Sequence, residues 1–162
     1  RVSRVSALWR SVIGKKALMA VTGAILFVYV FVHMLGNLQV FAGAEQMRPS
    51  NHLGDVSAAI QRAVEIEGLS IIRTLVGHGI GREMHEDPQV PNFGEPGKGP
   101  ELEVGTVLAI EPMVNAGGPL VRMGDDGWAV YSEDGSLAAH FEFTIAVTAD
   151  GPRILTPWHE DE

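Results

Sequence analysis

The sequence predicts an α+β domain with a mainly antiparallel sheet, preceded by one helix of transmembrane type. A helical repeat of apolar residues is followed by short apolar segments that Pro- and Gly-rich turns separate. Charge is also divided unevenly, because residues 1–44 carry five basic and no acidic residues, whereas residues 45–162 carry all twenty acidic ones. Such asymmetry predicts two parts in different surroundings, so we place a domain boundary between residues 44 and 45.

The uncharged stretch Ala17–Leu35 predicts a helix that spans a membrane. Its nineteen residues, at about 1.5 Å each, cover roughly the hydrocarbon core of a bilayer. The preceding basic residues would place the N-terminus in the cytoplasm. Insertion of this helix would make the protein membrane-associated. One alternative is a cleavable signal peptide ending near Ala42-Gly43-Ala44, for which the apolar run is too long. The second alternative is a buried helix of a soluble protein, and the lack of a polar face disfavours it.

The composition excludes several kinds of chemistry. The chain has no cysteine, which excludes disulfides, zinc–thiolate sites and cysteine nucleophiles. The acidic segment 45–162 has no basic patch, so we expect no nucleic-acid partner. A length of 162 residues is enough for one domain with its own core, or for a small domain with an appendage.

The acidic segment begins with a predicted helix and a predicted buried strand. Asp55 is a favourable N-cap residue, and apolar residues follow it at three- and four-residue spacing as far as Glu67. Gly68 is expected to end this helix. The apolar residues 69–75 then predict a buried strand.

Further predicted elements follow from turn signals and apolar runs. Two turns, Asp125-Asp126-Gly127 and Glu133-Asp134-Gly135, frame one short strand. Proline and glycine indicate a surface loop before the first long strand. The predicted elements are the loop Asp87–Pro100, the long strands Val104–Val114 and Leu137–Thr148, and the short strands Trp128–Tyr131 and Ile154–Pro157.

Four polar residues are candidates for chemistry. His78 lies between two glycines and His85 follows seven residues later; such glycines let the backbone turn tightly and present an imidazole in a cleft. Glu111 and Glu142 each lie in a predicted apolar strand, where a carboxylate is costly unless it is paired or binds metal. One imidazole and two carboxylates therefore predict a divalent metal site.

Residues 47–158 resemble the C-terminal half of a bacterial type I methionine aminopeptidase. The resemblance implies a pita-bread fold, in which two pseudo-symmetric α/β halves clasp two metal ions. It also implies a hydrolase that removes N-terminal methionine, with a peptide N-terminus as substrate. The resembled family is cytoplasmic. The matching stretches are Gly77–Arg82, His85–Pro91, Ala109–Gly117, Asp126–Trp128 and Asp134–Thr144.

The resemblance implies a role for each of the four candidate residues. His78 and Glu111 would each bind a metal, and Glu142 would bridge two ions. Oxygen-rich ligands with one imidazole suit Mn²⁺, Fe²⁺ or Co²⁺. His85 would contact the scissile peptide bond and stabilise the tetrahedral intermediate.

Other residues have weaker assignments. Trp128 and Phe141 would line the pocket for the methionine side chain, with core packing as the alternative for both. Three histidines match no role in the resembled family, so they are expected to be solvated or hydrogen-bonded: His52, His140 and His159.

The resembled family takes two further aspartate ligands and a substrate-contacting histidine from its N-terminal half. Extending the register backwards places the aspartate positions at Arg4 and Lys15, and no acidic residue precedes Glu45. The matched residues alone would hold one metal weakly. We therefore expect little or no aminopeptidase activity from the isolated chain unless a second chain completes the site.

Residues 5–44 resemble the first transmembrane helix of the succinate dehydrogenase cytochrome b subunit. The resemblance implies that His33 is an axial ligand of haem b, and it gives an alternative function as a membrane anchor or haem-binding fragment. One helix cannot enclose a haem, so an anchor with an unused histidine is the competing interpretation. Two resemblances in one chain predict a chimera. The matching stretches are Ser11–Gly23 and Val32–Phe41.

Overall fold

The computed structural model describes residues 13, 15–25 and 42–156, which belong to two units, 1–35 and 36–162. In the first unit, residues 15–25 are helical and exposed to solvent. Within the described residues, no helix combines the length and the apolar character needed to cross a membrane. The predicted membrane segment lies partly outside the described residues, since it continues from residue 26 to residue 35.

The described part of the second unit contains one long helix and three antiparallel sheets, which confirms the predicted α+β class. The five-stranded sheet has the order β10-β9-β4-β2-β3, the three-stranded sheet has the order β1-β5-β8, and β6 and β7 form a hairpin. The strands are β1 Ser70–Ile71, β2 Gly77–Gly79, β3 Glu86–Val90, β4 Val107–Ile110, β5 Met113–Asn115, β6 Val121–Met123, β7 Val130–Ser132, β8 Ala138–His140, β9 Phe143–Thr148 and β10 Gly151–Ile154.

The long helix, Leu53–Ile66, begins three residues earlier than predicted. His52 is its N-cap, and Asp55 lies inside the first turn. The Asp55 carboxylate accepts a hydrogen bond from the His52 backbone N–H at 2.7 Å, which is the contact that the third residue makes in a capping box. Asp55 therefore stabilises the helix start from a different position. Gly68, with a φ of 73°, follows the C-cap and ends the helix as predicted.

One apolar core lies between the helix and the five-stranded sheet. Val56, Ile60 and Val64 recur at helical spacing on one face and have no exposed surface. In β9, every second residue is buried, which is the pattern of a sheet with one face on the core. The sheet contributes Val90, Leu108, Ile110, Phe143, Ile145 and Val147 to the same cluster.

The structure divides each of the two long predicted strands in two. Glu111 and Pro112 separate β4 from β5, and Phe141 and Glu142 separate β8 from β9. β4 pairs with β9, whereas β5 pairs with β8 in the other sheet. Pro112 has no N–H to continue the ladder, and its carbonyl accepts a hydrogen bond from the Phe141 N–H at 3.2 Å. Both segments therefore change sheets beside each other, where the Phe141–Pro112 hydrogen bond joins them.

Four further predicted elements are shifted. The apolar run after the helix forms a strand only at Ser70–Ile71, because the chain then leaves that sheet to enter the other as β2. The predicted surface loop begins as a strand, since β3 pairs with β2. The short strand between the two turns forms at Val130–Ser132, and the last strand forms at Gly151–Ile154.

Asp134 connects the loop after β5 with the turn before β8. Its carboxylate accepts hydrogen bonds from the backbone N–H of Gly118 at 2.8 Å and of Ser136 at 2.9 Å. A side-chain hydrogen bond from Ser136 is the largest cause, and together with these backbone bonds it lowers the pKa of Asp134 to about 2. The ionised carboxylate therefore favours the folded state.

We expect Asp134→Asn to reduce the loss of stability that acid causes. A carboxylate whose pKa is depressed on folding contributes stability that is complete above its unfolded pKa, 3.8 here, and that disappears as pH falls toward about 2. The free energy of unfolding, measured by urea denaturation across this range, should therefore fall more steeply in the original protein than in the variant. Equal slopes would contradict this, and Glu133→Gln at the neighbouring exposed carboxylate is the control.

Candidate metal centre

The glycines beside His78 allow close packing of strands. Gly77–Gly79 forms β2, which pairs with β3 on one side and β4 on the other. A Cβ atom at Gly77 would collide with the Ala109 carbonyl of β4, and one at Gly79 would collide with the Asp87 carbonyl of β3. The predicted tight turn is therefore wrong, and the glycines hold His78 in a crowded strand instead.

His78 presents a defined ring nitrogen toward the site. Its Nδ1 lies 2.8 Å from the Gly79 carbonyl oxygen. A carbonyl only accepts hydrogen bonds, so Nδ1 carries the proton and Nε2 of the neutral ring has a free lone pair. This Nε2 lies 3.4 Å from Oε1 of Glu111. Nε2 of His78 and Oε1 of Glu111 are both acceptors there. A proton or a metal cation between them would satisfy both.

Glu111 lies between two imidazoles. Its Oε1 faces His78, and its Oε2 lies 3.3 Å from Nε2 of His140. The Glu111 side chain is 14% exposed. The buried Asn92 side chain donates a hydrogen bond to the Glu111 backbone carbonyl at 3.1 Å, which fixes the chain where the strand breaks. The prediction that Glu111 lies inside a strand is wrong, since it lies in the gap between β4 and β5.

Glu142 completes a group of three donors with Glu111 and His140. One nitrogen or oxygen atom from each of these residues lies within 4.8 Å of the other two. One imidazole nitrogen and two carboxylate oxygens form a donor set that suits Mn²⁺, Fe²⁺ or Co²⁺. The residues therefore fit a divalent metal.

Two carboxylates act on His140 at this site. A hydrogen bond with Glu111 raises the pKa of His140, partial burial opposes that change, and the charges of Glu111 and Glu142 add to it. The same carboxylates would attract a metal cation.

The structure places His85 beside His78, whereas the two candidate pocket residues, Phe141 and Trp128, lie in different surroundings. The rings of His78 and His85 are in contact, with centroids 4.1 Å apart and planes tilted by 42°. Phe141 is buried in the core cluster, as the core-packing alternative predicted. Trp128 is 87% exposed in the turn between β6 and β7, so that alternative is wrong for Trp128. His33, the candidate haem ligand, lies outside the described residues.

His140 is the site residue that the sequence analysis missed. It was expected to be solvated or hydrogen-bonded, and it does contact Glu111. The available signal was its position two residues before Glu142, because residues at that spacing share a face in extended chain. Its proximity to Glu111 depends on pairing between β5 and β8, which the sequence does not show.

Comparisons with known proteins agree with this geometry. The model of "Metallopeptidase family M24" matches residues 4–149. The chain belongs to this family. It is 56% identical over 116 residues to a methionine aminopeptidase of Clostridium perfringens, which is 72% of this chain and 47% of that protein. It is 50% identical over 117 residues to methionine aminopeptidase 1 of Bacillus subtilis, again 72% and 47% of the two chains.

The crystal structure of methionine aminopeptidase from Thermotoga maritima has a similar fold. It matches with a TM-score of 0.74 and 48% identity, over 76% of this chain and 49% of that one. The chain therefore spans about half the length of the relatives that it matches. The resemblance to the C-terminal half of this family, with its pita-bread fold, is confirmed. The comparisons do not support the cytochrome resemblance, and the predicted chimera stays a prediction.

We expect Gly77→Ala to destabilise the second unit by roughly 1–3 kcal/mol, because an added methyl group in a packed interior forces backbone shifts. Its Cβ would meet the Ala109 carbonyl and press on the Glu111 side chain, so metal affinity should fall as well. Urea denaturation and metal titration measure the two effects. The control is Gly23→Ala, where a Cβ atom would meet nothing within 4 Å; equal effects of both changes would contradict the prediction.

Proposed function

We propose that this protein is a metal-dependent hydrolase of aminopeptidase type that removes N-terminal methionine from peptides. The observation that carries the proposal is the convergence of His78, His140 and Glu142 on the carboxylate of Glu111, in a chain of a metallopeptidase family. Relatives that are 50–56% identical are named methionine aminopeptidases, which supports this substrate.

His78, Glu111 and Glu142 would hold the metal. The chemistry supplied by a divalent ion bound there would be polarisation of the scissile carbonyl and activation of a water molecule. The Gly79 carbonyl keeps the proton of His78 on Nδ1, so that Nε2 stays free to bind. The backbone hydrogen bond from Asn92 holds Glu111 in place.

His85 would act on the substrate. Its ring contacts that of His78 at a tilt, so it lies directly beside a proposed ligand. We assign it a hydrogen bond to the oxygen of the scissile carbonyl, which would stabilise the negative charge that develops there. Phe141 and Trp128 stay the proposed residues of the methionine pocket. Phe141 lies between His140 and Glu142 in the chain. Trp128 is exposed, so the substrate or another chain would have to cover it.

The number of ligands determines what the chain does alone. The family resemblance requires two aspartates in addition to these residues, and residues 1–44 contain no acidic residue. We propose that full activity needs these carboxylates from a further segment or from a second chain. Membrane association through residues 17–35 and haem b binding by His33 stay predictions. No described residue favours them, so we propose no second function.

We expect the 162-residue chain, incubated with Mn²⁺ or Co²⁺, to hydrolyse a Met-Ala peptide slowly or not at all. Residues 45–156 grafted in place of the matching half of the Clostridium perfringens relative should give metal-dependent release of methionine. Glu142→Gln in this graft should lower kcat by at least about 100-fold, because it removes a charged ligand that stabilises the bound ions. Release of free methionine, followed by chromatography, measures both.

Glu103→Gln, which changes an exposed carboxylate before β4, is the matched control and should leave kcat unchanged. A folded graft that binds metal but releases no methionine would overturn the proposed function. Rapid metal-dependent turnover by the 162-residue chain alone, abolished by Glu142→Gln, would instead overturn the expectation that further carboxylates are needed.

A further inference from the structure

His140 occupies a position that the ligand set of the resembled family does not include. Its Nε2 lies 3.3 Å from Oε2 of Glu111, and it forms a three-donor group with Glu111 and Glu142. His78 contacts the opposite oxygen of the same carboxylate, Oε1, at 3.4 Å. The described residues therefore offer a group of three donors, one of which is a Glu111 oxygen, and His78 contacts the same carboxylate at Oε1.

We propose that His140 is a metal ligand in this protein, and that its Nε2 binds one divalent cation together with an oxygen from Glu111 and an oxygen from Glu142. This inference rests on the proposed metal-dependent function and adds a residue to its site. The cation would be of the Mn²⁺, Fe²⁺, Co²⁺ or Zn²⁺ class, since one imidazole and two carboxylates suit these ions.

The fold brings these three donors together through the two strand breaks. β8 ends at His140, opposite Met113 of β5, and the Phe141 N–H is bonded to the Pro112 carbonyl across the break. Glu111 precedes Pro112 on one segment, whereas His140 and Glu142 flank Phe141 on the other. The same backbone pairing therefore fixes all three residues.

The group is also open to a cation from solvent. The His140 side chain is 48% exposed, and Glu142 is exposed as well, while Glu111 forms the partly buried floor. Three protein ligands with an open side leave positions for water or a substrate carbonyl, which is the arrangement of catalytic metal sites. All three donors come from residues 111–142, so one ion would bind without carboxylates from elsewhere.

His78 contacts Glu111 but does not belong to the three-donor group. As the ligand proposed above, it would bind a second ion, while the three-donor group binds the first. Glu111, with one imidazole on each oxygen, would face both. Loss of His140 should therefore weaken binding of the first ion more than loss of His78.

Histidine ring NMR of the ¹⁵N-labelled 162-residue chain tests this directly. Zn²⁺ is the probe because it is diamagnetic, and the resonance of a metal-bound ring nitrogen moves away from its metal-free position. His140→Gln and His78→Gln assign the two rings, and His52→Gln serves as a control at the start of the helix. Titration of each variant with Zn²⁺ gives the dissociation constant, which should rise at least about tenfold in His140→Gln and less in His78→Gln.

A shift of the His140 Nε2 resonance at one equivalent of Zn²⁺ is the expected result, with or without a shift of His78. A shift of His78 alone, with unchanged affinity in His140→Gln, would overturn this inference and leave the proposed metal-dependent function intact. If neither ring shifts and binding in the His78 and His140 variants equals that of the original chain, both proposals are overturned. Circular dichroism of each variant verifies that it is folded.

Discussion

The paired breaks at Glu111-Pro112 and Phe141-Glu142 are the constraint on which the arrangement of the site depends. The first break takes the chain from the five-stranded sheet to the three-stranded sheet, the second takes it back, and the two segments stay paired on both sides of the breaks. A carboxylate within a regular apolar strand would point into the core or away from the other strand. At the breaks, Glu111 and Glu142 leave the regular alternation, and both reach one place at the edge of the core.

The surrounding residues keep this geometry in place. Glycines in β2 allow three strands to approach so closely that His78 faces Glu111. The proton on Nδ1 of His78 is assigned by a backbone carbonyl, so the ring presents a lone pair without any further change. The buried Asn92 holds the backbone of Glu111. The proposed donors are therefore held in place by the fold, so little reorganisation would be needed if a metal binds.

Membership in metallopeptidase family M24 and the half-length match have different consequences. Family membership accounts for the sheet order, the core and the convergence of histidines and glutamates. The half-length match makes the activity of this chain a proposal. A single site built from Glu111, His140 and Glu142, as proposed above, would separate metal binding from peptide hydrolysis.

The sequence by itself determined the α+β class and the helix with its end at Gly68, and it singled out His78, His85, Glu111 and Glu142 as candidate site residues. These features are local, since apolar spacing, glycine and an acid in an apolar run act within a few residues. Only the tertiary structure decided where the long strands break, that the glycines serve strand packing, that Trp128 is exposed, and that His140 contacts Glu111. Each of these depends on pairing between segments far apart in the chain, and apolar periodicity is the same whether a strand continues or passes to a second sheet.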